Sequence, residues 1–166
     1  IATVHHMDKP VIAAVNGAAS GLGCDLAFAC DFVMGGSSAS FSMAYLKRGL
    51  IPDGGGLYFL PRRVGIARAK ELIFSARTVE SDEALEIGLA DRIIDDGRLV
   101  TDAVAWAQSL CSGPASAIAL SKSIINRSVD LSLETVFALG SEAQSICYAS
   151  DEHHDAVTAF LNKSSR

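Results

Sequence analysis

Short apolar runs separated by glycine-rich turns fill the first half of the chain, and longer helical patterns fill the second half. The apolar run at 11–15 ends at Asn16-Gly17 and predicts a strand buried on both faces, as in a parallel sheet. A helix is predicted after Gly21-Leu22-Gly23, and two more strands are predicted at 32–34 and 90–94. These elements form a β-α-β unit and favour an α/β fold.

The remaining patterns divide the chain into two parts. Residues 41–56 are predicted to be irregular, with helices around 67–74 and from Ser81 to near Gly88. Helical patterns then run at about 99–111, 115–127, 132–148 and 152–162. The third carries a stripe at three-and-four spacing, made of Leu133, Val136, Phe137, Gly140, Ala143, Gln144 and Cys147. We therefore expect a sheet-containing core at 1–98 and a helical region at 99–166.

Composition narrows the class of protein. The 166 residues are 49% hydrophobic and 20% charged, which excludes a disordered chain. A net charge of -5 without a Lys/Arg-rich run predicts no nucleic-acid partner, and no apolar stretch is long enough to predict a membrane span. Four cysteines without a C-x-x-C pair predict reduced, cytoplasmic thiols. The histidines form two adjacent pairs, His5-His6 and His153-His154, so no metal site is predicted.

The turn at 16–25 joins a predicted strand to a helix through small residues, so its backbone can approach a ligand closely. At a helix N-terminus the first amides lack intrahelical partners, and the helix dipole is positive there. The amide of Leu22, between Gly21 and Gly23, could therefore donate to an anionic oxygen. Tight turns also use glycine for packing alone, and the spacing does not separate these two possibilities.

Two aspartates are candidates for acid/base chemistry. Asp25 falls in the first turn of the predicted helix, where a carboxylate is either stabilised by the helix dipole or acts as an acid/base or water-orienting group. Asp53 lies in Ile51-Pro52-Asp53-Gly54, where most aspartates only cap a turn. The residue pattern leaves both alternatives open.

Four motifs in order resemble the enoyl-CoA hydratase/isomerase, or crotonase, superfamily: KPVIAAVNGAASGLGCDLAFACD (9–31), FSMAYLKRGLIPDGGGLYFLPRRVG (41–65), RAKELIFSARTVESDEALEIGLADRII (68–94) and AFLNK (159–163). The resemblance implies a spiral of β-β-α turns with a helical C-terminal region used in trimerisation. It also implies binding of acyl-CoA thioesters, with two backbone amides stabilising the enolate. No separate cofactor is implied, because coenzyme A is part of the substrate.

The resemblance implies that the family's second oxyanion amide corresponds to Leu22 and its first catalytic carboxylate to Asp25. The second glutamate of the hydratases falls on Tyr45, and a phenol with a pKa of about 10 cannot replace a carboxylate at neutral pH. Asp53 falls where several double-bond isomerases keep an acid. The segment 41–56 looks particularly similar to phenylacetate-pathway isomerases. Asp53 is therefore our first choice for the base.

The resemblance covers roughly the last two-thirds of such a protein, without the earlier spiral turns that hold the first oxyanion amide. The missing turns are either cleaved and still associated or absent, and this chain alone is expected to be nearly inactive. Near the end, Phe160 and Lys163 match positions that close over the coenzyme A. A core phenylalanine and a solvated lysine are the alternative, because Phe160 also fits an apolar stripe with Val157.

The leading hypothesis is an acyl-CoA double-bond isomerase with Asp53 as base, Leu22 as oxyanion donor and Asp25 as helper. The alternatives are an enoyl-CoA hydratase that adds water across C2=C3 and a non-catalytic trimerising scaffold. We expect a homo-oligomer, either a trimer or a dimer of trimers, because the stripe from Leu133 to Cys147 and the incomplete sheet leave apolar surface uncovered.

Overall fold

The computed structural model describes residues 1–164 of the backbone and the side chains of residues 1–162. The strands are β1 (Ile12–Val15), β2 (Ala18–Ser20), β3 (Phe32–Gly36), β4 (Ser40–Ser42), β5 (Thr78–Glu80) and β6 (Arg92–Ile94). The helices are α1 (Ala2–His5), α2 (Leu22–Ala29), α3 (Gly56–Val64), α4 (Ile66–Ser75), α5 (Ser81–Glu86), α6 (Leu99–Leu110), α7 (Ala115–Ser128), α8 (Leu133–Tyr148) and α9 (Asp151–Ser164). Short 3-10 turns cover Ala44–Arg48 and Asp96–Arg98.

The strands form two small sheets. In the first sheet β3 lies between β1 and β6, all three are parallel, and Ile12 pairs with Phe32. In the second sheet β4 lies between β2 and β5, parallel to β2 and antiparallel to β5. The strand predictions at 11–15, 32–34 and 90–94 are confirmed within one or two residues. The expected burial on both faces is wrong for β1, which is half-buried with Ala14 exposed.

Carboxylates fix the ends of the parallel strands. Asp31 Oδ2 accepts a 2.7 Å hydrogen bond from the amide of Val11, and Asp91 Oδ2 accepts a 2.6 Å bond from the amide of Val33. The guanidinium of Arg63 lies 2.9 Å from Asp91 Oδ2, so α3 is connected to the start of β3 through one shared carboxylate. Charge-assisted bonds of this kind are stronger than neutral ones and hold the sheet against the helices.

The core lies between α2, α3, α4 and the second sheet. Phe28 of α2 stacks on Phe41 of β4 with ring centroids 6.0 Å apart. Other buried members of this cluster are Cys24, Ala27, Val33, Met43, Leu60, Leu72, Val79 and Leu89. Because α2 buries most of its length here, its N-terminal turn is held in a fixed position.

The segment predicted as irregular, 41–56, contains most of β4 and the 3-10 turn Ala44–Arg48. The helix α3 was also missed, because Pro61 inside it removes one backbone donor and glycines precede it. Packing against α2 and α4 compensates for that loss. The strands β2 and β5 were missed because three-residue strands carry too little periodicity to read.

Contacts along the chain define two compact units, residues 1–5 with 11–107, and residues 6–10 with the chain from 108 onward. The sequence-based boundary at 98 differs from this division, which falls within α6. In the second unit, Glu152 of α9 accepts 3.1 Å hydrogen bonds from the amides of Ala115 and Ser116 and so caps α7. The four predicted C-terminal helices are confirmed within one or two residues.

The stripe on α8 is split in its exposure. Val136, Gly140, Ala143 and Cys147 are half-buried, whereas Leu133, Phe137 and Gln144 are exposed. Phe137 leaves 66% of its surface exposed in this chain. Among the described residues, no helix combines the length and apolar character that crossing a bilayer requires.

Candidate active site

The start of α2 provides a backbone donor. β2 ends at Ser20, and Gly21 then turns the chain with φ 54°, a conformation that favours glycine. The amide of Gly21 bonds to the carbonyl of Ser42 at 2.9 Å, which ties this turn to β4. Leu22 is the first helical residue, so its amide has no intrahelical acceptor and lies at the positive end of the helix dipole. The turn therefore has the features of an anion-binding site.

Asp25 lies in the first turn of the same helix and is completely buried, with 0% of its surface exposed. The hydroxyl of Tyr45, from the turn Ala44–Arg48, donates a 2.7 Å hydrogen bond to Asp25 Oδ2. Oδ1 is buried and meets no hydrogen-bond partner among the described residues. The two predicted catalytic positions, 25 and 45, are thus in direct contact.

The loop before α3 closes over this carboxylate. A Cβ atom on Gly54 would lie 2.5 Å from Asp25 Oδ2 and 2.5 Å from Leu22 Cδ1. A Cβ atom on Gly56 would overlap Asp25 Oδ1 and lie 2.5 Å from Met43 Cε. Sequence reasoning did not assign Gly54 or Gly56 to the site, although the glycine run after Asp53 was the signal that the backbone approaches another group here.

Burial is the main cause of the raised pKa of Asp25. The hydrogen bond from Tyr45 and the amides of Gly56 and Gly54 oppose this shift, and the charge of Asp53 adds to it. The pKa of Tyr45 is also raised, by burial first and then by its hydrogen bond to Asp25 and the two nearby carboxylates. Tyr45 therefore remains a neutral phenol at physiological pH.

Asp53 differs from Asp25 in being exposed. It occupies the turn that precedes α3, where its amide bonds to the carbonyl of Ile51 at 2.9 Å. Its charge raises the pKa of both Asp25 and Tyr45, so it lies within electrostatic range of the pair. The structure brings Leu22, Asp25, Tyr45 and Asp53 together, with one carboxylate open to ligands and one enclosed.

The buried thiol next to Asp25 is not a nucleophile. Burial raises the pKa of Cys24 to about 12, and its Sγ donates to the carbonyl of Ala19 at 3.0 Å. Such a thiol stays protonated and packs as a small apolar group. Within residues 1–164 no cluster of three or more His, Cys, Asp or Glu side chains could hold a metal ion.

The two predicted coenzyme A residues lie in α9. Phe160 leaves 70% of its surface exposed, so the alternative of a core phenylalanine is wrong for this chain. The side chain of Lys163 lies outside the described side chains. A role of either residue in binding coenzyme A stays a prediction.

Comparisons with known proteins identify the family of this chain. A family model for enoyl-CoA hydratase/isomerase matches residues 1–166. The chain is 40% identical to a short-chain-enoyl-CoA hydratase of Clostridium acetobutylicum, over 95% of this chain and 60% of that protein. It is 38% identical to the 1,2-epoxyphenylacetyl-CoA isomerase of Escherichia coli, over 96% of this chain and 61% of that protein.

A solved enoyl-CoA hydratase/isomerase from Cupriavidus metallidurans superposes with a TM-score of 0.92 at 41% identity, covering 96% of this chain and 60% of that one. The α/β fold predicted from the sequence is thereby confirmed as a crotonase fold. The chain spans about 60% of the length of these relatives. This chain belongs to the enoyl-CoA hydratase/isomerase family.

Proposed function

We propose that the full-length protein containing this chain binds an acyl-CoA thioester and moves a carbon–carbon double bond along its acyl group. This proposal rests on the different exposure of the two carboxylates. Asp53 is exposed in the turn before α3, whereas Asp25 is fully buried and bound to Tyr45. A single accessible carboxylate fits a proton transfer better than it fits hydration by two carboxylates acting together.

In this mechanism Asp53 removes a proton from the carbon that the thioester acidifies. The electron pair moves onto the thioester oxygen, and the amide of Leu22 and the dipole of α2 stabilise the resulting enolate. Asp53 then returns the proton to the carbon two positions further along, so the double bond has moved and no atom is gained or lost. Exposed apolar side chains beside the site, Leu22, Ile51 and Leu57, suit an acyl group.

Hydration is the second candidate, and the names of the relatives favour it. The relative from Clostridium acetobutylicum and a 36% identical relative from Syntrophomonas wolfei are both called hydratases. In that case Asp25 is the surviving carboxylate that handles water. Incorporation of oxygen from labelled water into the product separates hydration from isomerisation.

The test is exchange of substrate protons with deuterated solvent, measured on the full-length protein. Asp53→Asn should abolish exchange at the α and γ carbons, because the base is lost. Asp25→Asn should slow exchange less, and Asp82→Asn, an exposed aspartate on α5, is the matched control that should behave like wild type. Near-normal exchange in Asp53→Asn together with an inactive Asp25→Asn would overturn the isomerase proposal.

The same full-length protein tests the alternative that it is a non-catalytic scaffold. Binding of an acyl-CoA without proton exchange, double-bond movement or hydration in the wild-type protein would support the scaffold. We expect turnover instead, because the proposed donor and both carboxylates are present.

A further inference from the structure

The phenol of Tyr45 lies across the first turn of α2. Its ring atoms Cε2 and Cζ lie 3.7 Å and 3.8 Å from the position that a Cβ atom on Gly21 would occupy, and its hydroxyl reaches Asp25 Oδ2 at 2.7 Å. The ring therefore spans from the residue that precedes the proposed anion donor, Leu22, to the buried carboxylate. Tyr45 itself is only partly buried, so it reaches solvent while the carboxylate that it contacts does not.

Both oxygens of Asp25 are closed to water. Oδ2 is occupied by the Tyr45 hydroxyl, and a Cβ on Gly54 would already lie 2.5 Å from it. Oδ1 makes no hydrogen bond of good geometry among the described residues, although the nearby amides of Gly56 and Gly54 lower the pKa of the carboxyl group, and a Cβ atom on Gly56 would overlap this oxygen. An unpartnered buried oxygen would normally attract a water molecule. In this structure the carboxylate is enclosed instead, because Asp25 leaves 0% of its surface exposed and Tyr45, Gly54 and Gly56 lie against its oxygens.

We propose that Tyr45 determines the reaction outcome by shielding Asp25 from water, so that isomerisation proceeds and hydration is suppressed. This inference rests on the proposed function. Hydration requires a carboxylate that holds a water molecule, takes one of its protons and directs its oxygen at the C3 carbon of the enoyl group, while a proton is delivered to C2. Asp25 cannot hold that water while the phenol is in place. Asp53 is then the single accessible carboxylate, whereas hydration of this kind uses two.

The first experiment compares product ratios in full-length variants. Tyr45→Ala and Tyr45→Ser open a space beside Asp25, and Tyr45→Phe removes the hydroxyl but keeps the ring. The ratio of hydration, read as oxygen taken up from labelled water, to isomerisation should rise about tenfold or more in the two opened variants. In Tyr45→Phe it should stay within about threefold of wild type, because the ring still excludes water. Asp25→Asn added to Tyr45→Ala should abolish the new hydration.

The second experiment measures shielding without using activity. A water-soluble carbodiimide with an amine nucleophile modifies accessible carboxyl groups, and peptide mass analysis identifies them. In wild type and Tyr45→Phe, Asp53 should be modified and Asp25 should not. In Tyr45→Ala both should be modified, with exposed Asp53 as the internal reference.

The outcomes separate this inference from the proposed function. Wild type that hydrates rather than isomerises contradicts the proposed function, whatever the labelling. If wild type isomerises and the product ratio is unchanged in both opened variants, the proposed role of Tyr45 is wrong and the proposed function stands. If the carbodiimide modifies Asp25 in wild type, or fails to modify it in Tyr45→Ala, then Tyr45 does not shield Asp25. Hydration that persists in the double variant excludes Asp25 as the group that Tyr45 restrains.

Discussion

Gly56 lies so close to Asp25 that a methyl group on its α-carbon would overlap the carboxylate oxygen Oδ1. Gly56 begins α3 and Asp25 belongs to the first turn of α2, so the two helices meet at a point where one partner has no side chain. The buried carboxylate is thus placed by backbone on one side and by the hydroxyl of Tyr45 on the other. Its orientation depends on the exact fit between these elements.

Gly56→Ala should therefore destabilise the protein. The new methyl group would meet Asp25 Oδ1 and Met43 Cε, both in buried positions with little room to move, and overpacking of this kind costs about 1–3 kcal/mol. Gly17→Ala is the matched control, because a Cβ atom there meets nothing within 4 Å. Urea unfolding of the two variants measures the difference. Equal free energies of unfolding for both variants would contradict the close packing at Gly56.

The buried carboxylate of Asp25 should make stability depend on pH. Its pKa is raised above the ordinary value of 3.8, mainly by burial, so folding favours the protonated form. The stabilisation is complete below the unfolded pKa and is lost as the pH rises through the folded pKa. Asn cannot ionise, so the thermal stability of Asp25→Asn relative to wild type should increase as the pH rises above the ordinary pKa of 3.8.

Asp53→Asn is the comparison for this pH series, because it removes a carboxylate from the same site without removing a buried one. The difference in melting temperature between Asp25→Asn and wild type should increase with pH. A difference that is constant, or that increases toward acid, would show that the carboxylate of Asp25 is not destabilised by burial.

The main helices and the parallel strands were predictable because each has its own hydrophobic periodicity and is bounded by turn residues. The stripe on α8 and the apolar run of β1 are signals of this kind. The site was predictable in part, through Leu22 and Asp25 at the start of a helix. The contact between Tyr45 and Asp25 was not, because it joins residues 20 positions apart through packing that leaves no local pattern.

The amide of Leu22, rather than its side chain, should matter for activity. Leu22→Gly keeps the donor and should leave activity within about tenfold of wild type. Leu22→Pro removes the donor and should cost about a hundredfold or more, while the helix tolerates proline at its first position. Circular dichroism checks that α-helical content is kept. Equal losses in the two variants would mean that the side chain is the functional group.

The exposed part of the α8 stripe should form a contact between subunits. Leu133 and Phe137 are one helical turn apart, and Phe137 leaves 66% of its surface exposed in this chain. Adjacent apolar side chains of this size are costly to leave in water. We therefore predict a trimer or a dimer of trimers with the C-terminal helices at the interface, measured by sedimentation of the full-length protein.

Phe137→Glu tests this assembly, because it places a charge within the proposed apolar contact and should shift the protein toward smaller species. Glu142→Lys is the matched control: it also changes a charge on α8, about 140° around the helix from Phe137, and should leave the assembly intact. The difference between the two variants identifies the face of α8 that is covered. A wild-type protein that sediments as a well-folded monomer, or a Phe137→Glu variant with the same mass as wild type, would exclude this face as the interface.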